Sequence, residues 1–284
     1  MPAETTVNTT DGAITYENAD ETQTSVRGVT FLDAGDGPPV LLLHAFPLSS
    51  AMWRHQIRAL QSAYRVVAPD MPGFGSTPGF QGPPSVDRMA DDAAALLDEL
   101  KVREPVVVGG LSMGGYVALA FARRHAVRLR ALILADTRAE ADDEAGRANR
   151  DKMIEFASKN PSTAVIDQML PKLVCADTRE KRPEVVEAVR HYASLQAPAG
   201  IVGALKALRD RPDATPHLKQ IAVPTLVIVG RDDALTPLPL AEKLTAGIPG
   251  ARLVILERAG HLSNMEQPEG FNEAMRAFLT SLVV

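Results

Sequence analysis

Ser112 lies in the segment VVVGGLSMGGYVALAFA, which covers residues 106–122. Residues 110–114 read GLSMG and fit the pattern G-x-S-x-G, which presents a serine hydroxyl on a sharp turn between a strand and a helix. The apolar run before the serine predicts a buried strand, and a helical pattern follows it. At the N-terminus of that helix, free N–H groups would stabilise negative charge. We therefore interpret Ser112 as a nucleophile; the simpler alternative is a serine that caps the helix.

A serine nucleophile needs a base that takes its proton, and histidine can serve as that base. His261 occurs in AGHLSNMEQP, beyond the predicted strand ARLVILE, and is the only one of the six histidines placed just after a late strand. His44 ends the earlier strand VLLLH, and we expect it to pack or to hydrogen-bond locally. The sequence therefore predicts His261 as the base.

The base in turn needs an acid that orients it. The segment PTLVIVGRDDALTP offers Asp232 and Asp233 just after a predicted strand, and Asp136 follows another strand, ALILA. Each of these carboxylates could instead cap its loop. An acid at position 232 or 233 gives the chain order Ser, Asp, His, with each residue beyond its own strand. Asp136 is the second choice.

The oxyanion that develops during acyl transfer needs hydrogen-bond donors. Met113 follows the nucleophile directly, and Phe46 lies in HAFP, after an earlier predicted strand. The backbone N–H groups of these two residues are the candidate donors. We expect no metal site and no nucleotide cofactor, because neither metal-ligand spacing nor a glycine-rich phosphate-binding motif occurs in the sequence.

Short apolar runs that alternate with helical patterns are the predicted strands. They begin at residue 28 and at Pro38, Arg65, Pro105, Ala131, Pro224 and Ala251. The last six are nearly continuous in apolar character, which suits strands buried on both faces of a parallel sheet. Ser85 is the predicted N-cap of a helix with an apolar stripe from Val86 to Leu100. The alternation predicts an α/β fold with helices on both faces of the sheet.

This alternation stops between about residues 138 and 217, where only helical patterns interrupted by prolines occur. The stretch is too long for a connection inside a compact domain. We therefore predict a helical lid insertion over residues 138–217. The core then comprises residues 28–137 and 218–284, and residues 1–27 add a leading strand or extension.

Composition and charge restrict the classes of partner. The formal net charge is −5, with 45% hydrophobic and 23% charged residues, which is typical of a globular protein without a nucleic-acid footprint. A single cysteine excludes an internal disulfide, and the polar N-terminus lacks an apolar signal core. The apolar runs are far shorter than the roughly 20 residues that span a bilayer. We expect a soluble cytoplasmic protein that binds a small molecule, and neither nucleic acid nor membrane.

Taken together, the sequence resembles the α/β-hydrolase superfamily over about residues 28–282. The segments LLLHAFPLSSAMW, VVAPDMPGFGST, GLSMGGYVAL, ALILADT and ERAGHLSNMEQPEGF are most similar to the 3-oxoadipate enol-lactonase branch and its esterase relatives. In these enzymes the acid lies three residues after the glycine that ends its strand. That glycine is Gly230 here, so the resemblance implies Asp233 as the acid.

The resemblance also implies roles for the other site residues: Ser112 as the nucleophile, His261 as the base, and the N–H groups of Phe46 and Met113 as oxyanion donors. The implied activity is hydrolysis of a carboxylic ester or lactone through an acyl-enzyme. Ala45 departs from the family, which usually has glycine after this histidine, so we expect a slightly different oxyanion loop.

Three alternatives remain open at this point. Perhydrolysis, the cofactor-free haloperoxidase activity, uses the same triad, and so does hydrolysis of a C–C bond. A non-catalytic ligand receptor built on this fold is the alternative from a different class, because a fold alone does not fix a function.

Overall fold

A computed structural model describes residues 9–10, 13–14 and 22–282. Strand β1 (Thr9–Thr10) pairs with strand β2 (Ala13–Ile14) as a short antiparallel ladder. Strand β3 (Thr22–Val26) belongs to the main sheet. The rest of the segment 1–27, for which the sequence predicts a leading strand or extension, lies largely outside the described residues.

Eight strands form the main sheet. After β3 come β4 (Val29–Ala34), β5 (Pro39–Leu43), β6 (Arg65–Pro69), β7 (Val106–Leu111), β8 (Leu129–Ala135), β9 (Thr225–Gly230) and β10 (Arg252–Leu256). Their spatial order is β10-β9-β8-β7-β5-β6-β4-β3. Neighbours from β10 to β6 are parallel, whereas β4 is antiparallel to both β6 and β3. The predicted, mostly parallel α/β sheet is confirmed.

Strand β10 differs from its sequence prediction. The pattern ARLVILE suggests a strand buried on both faces, but β10 is the edge of the sheet. Arg252 is exposed, the three residues after it are only partly covered, and Leu256 alone is buried. A nearly continuous apolar run therefore does not separate an edge strand from a central one, because one side of an edge strand lacks a partner strand.

Helices cover both faces of the sheet. They are α1 (Arg54–Leu60), α2 (Val86–Glu99), α3 (Met113–Arg124), α9 (Leu238–Gly247), α10 (Ser263–Glu266) and α11 (Pro268–Thr280). Apolar residues of α2, α3 and α9 belong to one buried cluster, and those of α1 and α11 belong to a second. Ser85 caps α2 as predicted, since its hydroxyl accepts the N–H of Arg88 at 3.1 Å.

Five α-helices and no strand lie between β8 and β9. They are α4 (Glu144–Lys159), α5 (Ser162–Leu173), α6 (Ala176–Lys181), α7 (Pro183–Ser194) and α8 (Pro198–Arg209). Helix α4 packs on α8, and α5 packs on α7. We call residues 138–217 the helical insertion; that it acts as a lid stays a prediction. Within the described part of the chain, no helix is long and apolar enough to cross a membrane.

Candidate active site

The turn after β7 places Ser112 at the carboxyl end of the sheet. Ser112 has φ 55° and ψ −112°, a strained geometry for a residue with a Cβ. The flanking glycines permit the turn through close backbone approach. A Cβ on Gly110 would lie 2.1 Å from the carbonyl oxygen of Gly114, and a Cβ on Gly114 would lie 2.0 Å from that of Leu43. Neither site can hold a side chain without displacing backbone.

Asp233 lies in the loop after β9 and is 3% exposed. Its Oδ1 accepts the N–H groups of Leu235 at 2.8 Å and Thr236 at 2.9 Å, and its Oδ2 accepts the Thr236 hydroxyl at 2.5 Å. Burial opposes the charged form, but the charge and hydrogen bond of His261 and the Thr236 bonds outweigh it and lower the pKa of Asp233. Asp233 is therefore a stable carboxylate.

His261 lies beyond β10 and joins Asp233 to Ser112. Its Nδ1 is 2.9 Å from Oδ2 of Asp233, and its Nε2 is 2.7 Å from Oγ of Ser112. Because ionised Asp233 can only accept hydrogen bonds, the neutral imidazole carries its proton on Nδ1. Its Nε2 can then accept a hydrogen bond from the hydroxyl of Ser112. The structure thus brings together the three residues chosen from the sequence.

The alternative acids occupy different positions. Asp232 is exposed, whereas Asp136 is 1% exposed and has φ 44°. The Oδ1 of Asp136 accepts the N–H of Gly230 at 2.8 Å, and its Oδ2 shares a short hydrogen bond with the hydroxyl of Ser263. Within the described chain neither carboxylate hydrogen-bonds to the imidazole of His261, so Asp233 is the only one of the three candidate acids that contacts it.

His44 is fully buried behind the site. Its Nδ1 lies 2.9 Å from the carbonyl oxygen of Ala45, and its Nε2 accepts the N–H of Met71 at 2.9 Å. Burial lowers the pKa of His44 and keeps the ring neutral. The local hydrogen bonding expected from the sequence accounts for both ring nitrogens.

Both candidate oxyanion donors lie close to Ser112: Met113 follows it directly, and Phe46 lines the same cavity. Within the described chain, neither the N–H of Phe46 nor that of Met113 donates a hydrogen bond to another residue. Met113 begins α3, so its N–H is one of the free groups of a helix N-terminus. Ala45 is not among the described residues with positive φ, and its backbone geometry therefore tolerates a Cβ.

A cavity of about 680 Å³ opens above Ser112 and His261. The wall is partly apolar and includes Met153, Phe156, Met169, Leu205 and Leu208 from the helical insertion. Four cations also line it: Arg138, Arg150, Lys152 and Lys172; the only carboxylate among the lining residues is that of Asp142. The volume fits a small-molecule ligand.

A model of the alpha/beta hydrolase family matches residues 40–274. This range includes the hydrogen-bonded residues Ser112, Asp233 and His261. This protein belongs to the α/β-hydrolase family.

Similar proteins place this α/β hydrolase near esterases and enol-lactonases. The 3-oxoadipate enol-lactonase 2 of Acinetobacter baylyi is 30% identical over 246 residues, which are 86% of this chain and 89% of that protein. A solved thermophilic esterase from Thermogutta terrifontis, with malate bound, is 39% identical with a TM-score of 0.88; the match covers 94% of this chain and all (100%) of that one. The solved enol-lactonase from Burkholderia xenovorans is 29% identical with a TM-score of 0.83, over 91% and 100% of the two chains. The resemblance found in the sequence is confirmed.

Asp142 organises the cations of this hydrolase's cavity. Its Oδ1 accepts from Arg138 at 2.5 Å and from Arg211 at 2.8 Å, and its Oδ2 accepts from Arg150 at 3.0 Å. Arg211 also lies over the ring of Tyr116, 4.3 Å from its centroid. Burial opposes the charge on Asp142, but the guanidinium groups lower its pKa far below the usual range. Three guanidiniums share one carboxylate, so the cluster carries net positive charge.

Glu266 fastens the helical insertion to the loop that carries His261. Its Oε1 accepts the N–H of Gly260 at 2.8 Å. Its Oε2 accepts the N–H of Cys175 at 2.8 Å and the hydroxyl of Thr178 at 2.7 Å, and both of these residues belong to the insertion. Glu266 is completely buried, so these three donors replace the water that a carboxylate needs.

Sequence reasoning missed Ser263 and Glu266, and also Thr137, whose hydroxyl donates a hydrogen bond to the carbonyl of Ser112. A usable signal was present for two of them, because Thr137 closely follows a strand end and Ser263 lies two residues after the predicted base. No sequence pattern indicates that Glu266 reaches residues 175–178, which lie far away along the chain.

Proposed function

We propose that this α/β hydrolase cleaves a carboxylic ester or lactone through an acyl-enzyme on Ser112. The observation that carries the proposal is the continuous hydrogen-bonded chain from Asp233 through His261 to the Ser112 hydroxyl, at the floor of a ligand-sized cavity. The esterase and enol-lactonase relatives support the same chemistry.

Acylation begins when Oγ of Ser112 attacks the carbonyl carbon of the substrate and Nε2 of His261 takes the hydroxyl proton. The N–H groups of Phe46 and Met113 stabilise the tetrahedral oxyanion, and Asp233 stabilises the imidazolium. Collapse of the intermediate breaks the bond to the leaving oxygen, which receives the proton from His261. In a lactone this oxygen stays tethered to the acyl group.

Deacylation repeats these steps with water as the nucleophile. His261 takes a proton from a water molecule, whose oxygen bonds to the acyl carbon while the amides of Phe46 and Met113 again hold the oxyanion. The bond to Oγ then breaks, Ser112 regains its proton from His261, and the free carboxylic acid leaves.

The cations of the cavity favour a substrate that carries a carboxylate apart from the scissile bond. Asp142 neutralises one of the charges on Arg138, Arg150 and Arg211, and both Arg138 and Arg150 line the cavity. Guanidinium groups bind carboxylates through paired hydrogen bonds. A solved relative, the thermophilic esterase from Thermogutta terrifontis, has malate bound, which supports a small acid as the ligand.

The test of the reaction is a panel of p-nitrophenyl esters from acetyl to octanoyl, together with simple lactones. We expect wild type to turn over at least one of them and Ser112→Ala to lose on the order of 10⁶ in kcat. Ser158→Ala, which changes an exposed serine on α4, is the matched control and should behave as wild type. Equal turnover by wild type and Ser112→Ala would disprove the proposal.

The test of the substrate class compares monomethyl succinate with methyl butyrate, which lacks the second carboxylate. We expect wild type to favour the acid in kcat/KM and Arg138→Gln to lose this preference by raising KM. Arg209→Gln removes an arginine of the insertion that pairs with Asp151 and Asp210 and does not line the cavity, so it should keep the preference. A wild type that favours the neutral ester would contradict the acidic substrate but not the serine mechanism.

The cytoplasm stays the predicted location, and the proposed partner is a small ester or lactone alone.

A further inference from the structure

Asp136 is a buried carboxyl group that the acyl-transfer steps do not use. It follows β8, the strand that lies between β7 and β9, and therefore stands between the turn of Ser112 and the loop of Asp233. Its φ of 44° is unusual for a non-glycine residue. Strained backbone of this kind persists only where the surrounding structure fixes it, and it is common at functional sites.

The side chain of Asp136 bridges the two loops that carry the acid and the base. On one side it accepts the N–H of Gly230, whose own carbonyl accepts the N–H of Asp233 at 3.2 Å. On the other side it shares a short hydrogen bond with the hydroxyl of Ser263, two residues after His261. One carboxyl group thus contacts both loops directly.

The surroundings of Asp136 disfavour a negative charge. No lysine, arginine or histidine within the described chain forms an ion pair with Asp136, and the negative charges of Asp233 and Glu266 disfavour a further one on it. Burial and then the charge of Asp233 raise the pKa of Asp136 well above its usual range. Asp233 has its own hydrogen-bond donors and the imidazole of His261, so the single negative charge belongs on Asp233.

We propose that Asp136 is a positioning residue that holds the loops of Asp233 and His261 in register as a neutral acid bonded to Gly230 and Ser263. The proton on Oδ2 then lies in the bond to Ser263, whose hydroxyl oxygen accepts it. The proposal rests on the proposed role of Ser112 as nucleophile. As a neutral group, Asp136 fixes geometry without adding a second charge that would favour the imidazolium.

The first test compares Asp136→Asn with Asp136→Ala in ester hydrolysis. Asparagine keeps the shape and neutrality of the acid, so we expect kcat within about threefold of wild type and an unchanged acid limb of the pH profile. Alanine removes both bonds, and the resulting misplacement of the triad should lower kcat by about 10²-fold with little change in KM. Ser263→Ala should fall between the two. Asp91→Asn, a change to a hydrogen-bonded carboxylate on α2, is the matched control.

Two outcomes of this test would overturn the proposal. If Asp136→Ala keeps the kcat of wild type, the residue does not position the triad. If Asp136→Asn moves the acid limb to lower pH, Asp136 is ionised in wild type, because loss of a negative charge makes the imidazole easier to deprotonate. If Asp136→Ala does not fold, the kcat of Ser263→Ala and the acid limb of Asp136→Asn test the proposal in its place.

The second test does not depend on catalysis. A carboxyl whose pKa is raised on folding binds its proton more tightly in the folded state, so wild type loses stability as pH rises from about 4, the usual pKa of aspartate. Asp136→Asn lacks this loss. The urea midpoint of the variant should therefore rise relative to that of wild type as pH increases from about 4 to about 7. A constant difference would refute the neutral acid, even if Ser112→Ala showed that the serine mechanism is wrong.

Discussion

The hydroxyl of Thr137 donates a hydrogen bond of 2.9 Å to the backbone carbonyl of Ser112. The same carbonyl accepts the N–H of Gly115 at 2.9 Å and that of Tyr116 at 3.2 Å, both in the first turn of α3. On its other side, the N–H of Ser112 donates to Ala135 at the end of β8. Ser112, the proposed nucleophile, is thus held by the neighbouring strand as well as by its own turn.

Replacing Thr137 tests this support. Thr137→Val keeps the shape of the side chain but loses the bond to Ser112, a loss of about 1 kcal/mol that we expect to lower kcat about fivefold. KM should change little, because Thr137 does not line the cavity. Steady-state kinetics on one ester measures both values. Thr137→Ser retains the hydroxyl and is the control; a valine variant as fast as wild type would show that the bond is dispensable.

Asp233 and Asp232 form a matched pair for testing the acid. Asp233→Asn should lower kcat by about 10⁴-fold, because the amide no longer holds His261 in the tautomer that accepts the serine proton. Asp232→Asn changes the exposed neighbour and should leave kcat within about twofold of wild type, as for most surface changes. Steady-state kinetics of the two variants on the same ester shows which aspartate is the acid. The reverse order of effects would move the acid to position 232.

The pH profile tests the charge states of His261 and Asp233. The base must be neutral, so kcat/KM should fall as pH decreases below neutrality. The pKa of Asp233 is lowered, so this carboxylate stays ionised over the same range and adds no second step. We therefore expect a single acid limb of slope one. A limb of slope two would show that both groups titrate together.

Asp142 should matter more for stability than any exposed carboxylate of the insertion. Asp142→Ala leaves the guanidiniums of Arg138, Arg150 and Arg211 facing one another, and we expect a loss of about 3–5 kcal/mol in the free energy of unfolding at pH 7. Asp210→Ala, which breaks the exposed pair with Arg209, should cost less than about 1 kcal/mol. Urea denaturation compares the two. Similar losses would mean that the cluster does not stabilise the fold.

The lowered pKa of Asp142 also sets the pH range of this effect. The carboxylate is charged in the folded state at pH values where it is protonated in the unfolded chain. Its contribution is therefore fully present above about pH 4 and is lost as pH falls through the folded pKa. Wild type and Asp142→Ala should approach each other in stability on acidification. A difference that stays constant down to pH 2 would contradict this expectation.

The sequence predicted those parts of the molecule that depend on local pattern. Ser112 could be identified because its glycines, strand and helix are contiguous, and the family spacing after Gly230 selected Asp233. The edge position of β10 could not be predicted, because a strand's neighbours depend on the whole topology. The arginine cluster around Asp142 could not be predicted either, because Arg138 and Arg211 come from the two ends of the insertion.

Glu266 has a consequence for how such enzymes diversify. It ties residues of the insertion to the loop of His261, so the part that shapes the substrate cavity and the part that aligns the base share one buried carboxylate. A foreign insertion grafted onto this core would leave that carboxylate without two of its donors. The lining of the cavity and the position of His261 are therefore coupled, and we expect a chimera to keep its activity only when its insertion supplies donors equivalent to Cys175 and Thr178.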